Sequence, residues 1–254
     1  MIKQYKAPIV KKALRILKAV ANTNQGMRIS DISSQLDISK STVHGITAAL
    51  EEQGALKRDS ITKRYVIGLT LIELGKMANA KIDLIKIARP HMEELMEQCQ
   101  ETIFLGLRNE NKIIIVDSVE SKKDFKITSP IGTSMPLLAG SAGKVFLAQM
   151  KPEEAKNLLF SNTLTQFTSR TLTSPEAYFN RLEQIRKNGY ATDEEEYISG
   201  VCAIAAPITG YGNYPAALWV VGFKASLDRT KMENHSQLVK TAAKKISTIL
   251  ETPV

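Results

Sequence analysis

The chain has little of what enzymes and secreted domains commonly rely on. Of its 254 residues two are cysteines, Cys99 and Cys202, one is a tryptophan and three are histidines. Two cysteines are too few for a disulfide framework or a cysteine-ligated zinc site, and a reducing compartment is consistent with that count. His91 and His235 have no second histidine four residues away, so both read as surface or helix-end residues rather than a helical metal pair. There is no G-x-S-x-G elbow and no H-E-x-x-H, and the lysine of "SAGK" lacks the spacing of a phosphate loop. No run approaches the roughly 20 apolar residues of a membrane helix. The opening MIKQYKAPIVKKALRIL lacks the apolar core and cleavage site of a secretory signal, so a cytoplasmic location is expected. These absences argue against catalysis, a metal site, a cofactor and a membrane.

What is present is unevenly placed. The net charge is +8. Residues 1–76 carry 13 Lys/Arg against 6 Asp/Glu, whereas the remainder carries 21 against 20. A basic first third joined to a nearly neutral remainder implies a polyanionic partner for the former and a different task for the latter. With 43% hydrophobic residues the chain can fill a small domain followed by a larger one.

In the first third, Ile9, Val10, Ala13, Leu14, Ile16, Leu17 and Val20 recur at helical spacing. A second, short helix is expected over 31–36 with Ser30 as its N-cap. Asp37-Ile38 then turns, Ser39 caps again, and Val43, Ile46 and Leu50 form the apolar stripe of a third helix ending before Gly54. Two short strand-like runs follow, Leu56-Lys57-Arg58 and Lys63 to Ile67, around the polar turn Asp59-Ser60-Ile61-Thr62. Three helices and a hairpin read as a winged helix-turn-helix. The leading turn of the third helix holds Ser39, Lys40, Ser41, Thr42 and His44, groups suited to phosphates and base edges in a major groove. Lys63 and Arg64 stand where the wing returns. A nonspecific or architectural DNA binder would also account for the basic third, but it leaves the neutral remainder without a task.

A helical pattern over 69–82 leads away as a connecting segment, which places the domains at 1–68 and 83–254. In the second domain a helix over 84–100 contains Pro90, which calls for a kink or restart. Residues 102–108 and 112–119 read as a hairpin, helices are expected near 141–149, 152–160 and 174–188, strands at 204–209 and 216–224, and a last helix at 228–250. Hairpins flanked by helices indicate an antiparallel α+β domain.

Residues 10–76 resemble the winged helix-turn-helix of the IclR family of bacterial transcriptional regulators, in "ISKSTVHGITAALEEQGALKRD" and "KRYVIGLTLIELG". The second domain carries further marks of that family in "ARPHMEEL", "GTSMPLLAGSAGKVFLA" and "GYATDEEEYISGVCAIAAP". The resemblance implies a GAF-like domain that binds a small organic acid, using the amides of Ser141 and Ala142, an acid of the "TDEEE" run (Asp193) and residues of the following strands, Ala203, Trp219 and Val221. It also implies a double-stranded DNA operator as partner and a homodimer or homotetramer, more often a repressor. The chain departs from the family pattern at Gly45, where arginine is common, and in a wing turn without glycine. It departs again at Cys202-Ala203, where Arg-Cys is common, and at Trp219 and Val221, where serine is common. Fewer hydroxyls and an indole point to a more apolar pocket and an aromatic or longer-chain acid. Trp219 could equally be a core aromatic, and the acids 193–196 could equally be a solvated loop or a ligand or metal site.

Overall fold

Pro8 at a first helical position, where its missing N–H is no loss, opens α1, Pro8–Ala21. A computed structural model describes residues 7–80, 83–211 and 214–251. The chain divides into two compact units, Met1–Ile82 and Asp83–Val254. In α1 the expected apolar stripe is split. Ile16, Ala19 and Val20 are buried, whereas Ile9, Val10 and Leu14 are each more than half exposed.

The second helix, α2, is Ile29–Leu36. Its N-cap is Arg28, not Ser30. Met27 exchanges backbone hydrogen bonds with Tyr65, which keeps the chain extended as far as Arg28 and lets the helix begin two residues sooner. Arg28 N–H then donates to Asp31 Oδ2 at 3.0 Å, and Ser30 Oγ is left to bond Asp31 Oδ1. Asp37, in the left-handed region at φ 53°, makes the tight turn. It leads into α3, Lys40–Glu52, whose N-cap Ser39 accepts the Thr42 N–H as expected. Val43 and Ile46 join Ile16, Ile32, Leu56 and Tyr65 in one core.

Strands β1, Leu56–Arg58, and β2, Tyr65–Ile67, pair antiparallel, and α4, Leu69–Ala80, follows. The wing turn works without glycine because Asp59 Oδ1 accepts the N–H groups of Ile61 and Thr62 and the Thr62 hydroxyl. Lys63 takes the left-handed φ, 58°, that glycine would otherwise supply.

The second unit begins with α5, Asp83–Cys99, which runs through Pro90 without a restart. Leu84, Ala88, Met92 and Leu95 bury one face of it on both sides of the proline, and that packing outweighs one missing backbone hydrogen bond. The expected hairpin is β3, Thr102–Asn109, with β4, Lys112–Val119. Next come β5, Ser134–Pro136; α6, Gly140–Gln149; α7, Pro152–Ser161; and α8, Pro175–Asn188. The chain closes with β6, Ala191–Glu194; β7, Val201–Ile208; β8, Ala216–Phe223; and α9, Arg229–Glu251. The two shortest strands of this unit, β5 and β6, are not marked by sequence pattern. All six strands β3–β8 form one antiparallel sheet in the order β5-β4-β3-β8-β7-β6. Helices α5 and α9 pack on it and on each other. Helix α6 packs against β6, β7 and β8, and α7 and α8 pack beyond it. This is the two-domain α+β architecture expected from the sequence.

A bulge between Leu105 and Gly106 in the β3–β4 register precedes Asp117, which the Arg89 guanidinium of α5 pairs while also donating to the Ser118 carbonyl. Burial raises the Asp117 carboxyl above the usual aspartate range, against the pull of Arg89. Replacing Arg89 by leucine strands this buried carboxylate and is expected to lower the stability of the second unit by about 2 kcal/mol, discounted for the half-exposed guanidinium. Urea unfolding measures it. Among the described residues no helix is long and apolar enough to cross a membrane.

Candidate functional site

Two sites are built by these units. In the first, the α3 cap leaves one helix face in solvent: Lys40, Ser41, His44 and Gly45 are exposed, opposite the buried Val43 and Ile46. Ser39 is the hub of a hydroxyl network, 3.2 Å from Ser41 Oγ and 2.8 Å from Thr42 Oγ1. Thr42 is only partly exposed and stands with Ile9, Ala13 and Ile46 along a groove between α1 and α3. The outward polar face is therefore Lys40, Ser41 and His44, with Ser39 and Thr42 ordering its first turn. Free N–H groups at this helix start and the absence of acids in its first turn suit an anion. Gly45 adds no side chain beyond the backbone.

The wing pair separates in role. Lys63 is exposed at the return of the turn, whereas Arg64 Nη1 donates to the Gly26 carbonyl at 2.9 Å and lies 3.9 Å from Asp31. Arg64 is a brace. Arg28, not singled out in the sequence, is a second, its Nε donating to the Thr62 carbonyl.

The second site is a cavity of about 220 Å³ between the sheet and the start of α6. Ser141, Ala142, Asp193, Ala203, Trp219 and Val221 all line it. Phe104, Ile115 and Met135 extend its apolar wall, and Tyr197 and Ile198 approach it from the turn after β6. Trp219 resolves into both of its readings, packed in the core with its ring centroid 5.7 Å from that of Phe104 and fronting the cavity as well. The polar end is the α6 N-terminus. Ser141 is 2% exposed, and its Oγ has no hydrogen-bond partner among the described residues. The first N–H groups of a helix have no intrahelical acceptor, so an anion here meets donors without a countercharge.

Asp193 sits beside this helix start, its Oδ2 3.0 Å from where a Cβ on Gly140 would stand. Gly140 also takes φ +65°, so glycine fits there on both counts. Burial raises the Asp193 carboxyl to about 6, while the Glu196 N–H at its Oδ1 and nearby Lys144 pull the other way. Lys144, the lysine of "SAGK", is 1% exposed and bonds Glu196 and the Thr192 carbonyl, the latter at 2.7 Å. Burial lowers its ammonium below the usual lysine range, opposed by Glu196. The acidic run is thus neither a solvated loop nor a ligand cluster as a whole. Asp193 faces the cavity, Glu195 pairs with Lys224 and Glu196 with Lys144. Among the described residues no three His, Cys, Asp or Glu side chains converge as metal ligands. Burial pushes the Cys99 and Cys202 thiols up, to about 12 and about 11, where neither is a nucleophile.

Residues 9–60 match the family model described as the IclR helix-turn-helix domain, and residues 77–248 match the bacterial transcriptional regulator IclR C-terminal domain. The chain belongs to the IclR family. Its IclR relatives include the HTH-type transcriptional regulator BhcR of Paracoccus denitrificans, 33% identical over 237 residues that cover 93% of this chain and 85% of BhcR. The HTH-type transcriptional repressor AllR of Escherichia coli is 30% identical over 250 residues, covering 98% and 92%. Among solved IclR structures, a homolog from Microbacterium hydrocarbonoxydans complexed with 4-hydroxybenzoate superposes with a TM-score of 0.81 at 25% identity, covering 95% of this chain and 98% of that one. The chain is accordingly a transcriptional regulator with a helix-turn-helix DNA-binding domain, and not an enzyme. Within that IclR frame, Lys144 and Glu196 carried one signal a sequence reader could use, a lysine inside an otherwise apolar helix stretch with a carboxylate run downstream.

Proposed function

We propose that this regulator is a repressor whose grip on a pseudo-palindromic operator is set by a small organic acid with an apolar, aromatic-sized body. It acts in the cytoplasm as a homodimer or homotetramer, each dimer offering two copies of the Lys40-Ser41-His44 face to successive major grooves, with Lys63 on the flanking phosphates. The observation that carries the effector reading is the cavity's polarity: unpartnered Ser141 Oγ and the α6 amides at one end, Phe104, Trp219 and Val221 at the other. Its size is below that of drug-sized sites and suits a single ring. The repressor name of AllR and the 4-hydroxybenzoate held by the Microbacterium homolog support the reading. Acid binding shifts the population between DNA-competent and incompetent arrangements.

The test is selection of bound duplexes from a random pool, repeated with benzoate, 4-hydroxybenzoate, hexanoate and acetate. A ring acid is expected to change the affinity for the selected site; a response to salt alone would contradict the reading.

Binding should also depend on pH. A carboxylate seated on the α6 amides places its charge beside Asp193 and pushes that carboxyl further up from about 6, so the complex takes up a proton. Affinity for the acid is expected to fall by up to about tenfold per pH unit above 6. Calorimetry in buffers of different ionisation enthalpy checks it, and Asp193→Asn should flatten the profile.

A further inference from the structure

Trp219 on β8 stands opposite Phe104 on β3, which makes Gly106 its diagonal neighbour across the strand pair. Large aromatic side chains reach such diagonal positions. Here the indole does: a Cβ on Gly106 would lie 2.6 Å from Cη2 and 2.7 Å from Cζ3 of Trp219, closer than real carbon contacts allow. The same Cβ would meet Ile113 Cγ2 at 3.2 Å, so it is crowded on a second side as well. On its remaining flanks Trp219 faces Ala205 across β7, with Ala217 two residues before it on its own strand. A bulky ring is laid down beside small residues, and the same residue lines the cavity.

We propose that Gly106 is a specificity-determining residue: by admitting the far edge of the indole to the sheet surface, it keeps the cavity deep enough for the body of a ring-sized acid. This rests on the reading of the cavity as the effector site. In this arrangement Trp219 is the platform on which the flat body of the ligand lies, and Phe104 is its neighbour along the wall. Adding one methyl group at residue 106 moves the indole outward into the space the ring requires. The acid end, at Ser141 and Ala142, is untouched by this change, so a short acid keeps its site.

The experiment compares wild type, Gly106→Ala and the double variant Gly106→Ala/Trp219→Phe. Each is titrated with acetate, hexanoate, benzoate and 4-hydroxybenzoate by calorimetry. The chain has a single tryptophan, so wild type and the single variant are also followed by its fluorescence and near-ultraviolet dichroism. Gly106→Ala is expected to lose about tenfold or more in affinity for the ring acids while acetate stays within about twofold. Its tryptophan signals should change before any ligand is added. The double variant, whose smaller ring leaves room for the methyl group, should regain most of the ring-acid affinity. Unfolding curves on all three establish that they fold. An unchanged tryptophan signal with unchanged ring-acid affinity, or an equal loss for every acid, would overturn the role of Gly106. Failure of wild type to bind any acid would instead overturn the effector reading beneath it, and this inference with it.

Discussion

Alanine at both Lys40 and His44 is expected to abolish the sequence-specific complex with duplex DNA, with a loss of about a hundredfold or more. A good base-edge contact discriminates by about 1–3 kcal/mol, and a two-fold protein makes each contact twice. Both side chains are exposed and contribute nothing to the packing of α3, so circular dichroism and the unfolding midpoint of the first unit should not move. What remains should be weak, sequence-blind binding that collapses as salt rises. Thr42→Ala offers a contrast. That hydroxyl bonds Ser39 and borders the α1–α3 groove, so its loss should loosen the first turn and weaken binding less than the double change does. Competition mobility shifts with selected and scrambled duplexes separate these outcomes.

The second large effect concerns the buried pair behind the cavity. Glu196→Ala leaves the Lys144 ammonium, 1% exposed, with the Thr192 carbonyl as its remaining hydrogen-bond partner and the raised Asp193 carboxyl as the acid still acting on it. Uncompensated buried charge costs about 3 kcal/mol or more. The loss extends to the site, because Glu196 is held by its N–H to Asp193 and by its carbonyl to Thr171, and Tyr197 and Ile198 follow it into the cavity wall. Lys144→Met combined with Glu196→Ala removes both charges and should recover most of the stability, since apolar replacement of a whole buried pair is often neutral. Chemical denaturation of the four corners of this cycle gives the coupling. A Glu196→Ala protein as stable as wild type would mean that the ion pair is not what holds this turn.

How much of this could be read from the residues depended on whether a pattern was local. The three helices and wing of the first unit announce themselves because apolar spacing, Ser39 and the polar turn all act within a few residues. The Arg28 cap did not, because it follows from a backbone pairing between Met27 and Tyr65, far apart in sequence. Of the kink or restart that Pro90 calls for, the restart is absent for the same reason: the buried stripe of α5 outweighs the local preference of one residue. Strand β6 ends in acids that look like a loop until Asp193 is seen to face inward. The six residues named from family resemblance do come together around one cavity, yet Gly106 carried no isolated mark, since its meaning lies in a partner more than 45 residues away.

A DNA-reading face and an acid-binding cavity coupled in one chain must influence each other reciprocally. This coupling is tested most directly by measuring both affinities on the same protein, operator binding by anisotropy of a labelled duplex and acid binding by the fluorescence of Trp219. The factor by which saturating acid changes operator affinity should equal the factor by which saturating operator changes acid affinity. An acid that perturbs Trp219 and leaves operator affinity unchanged would contradict it.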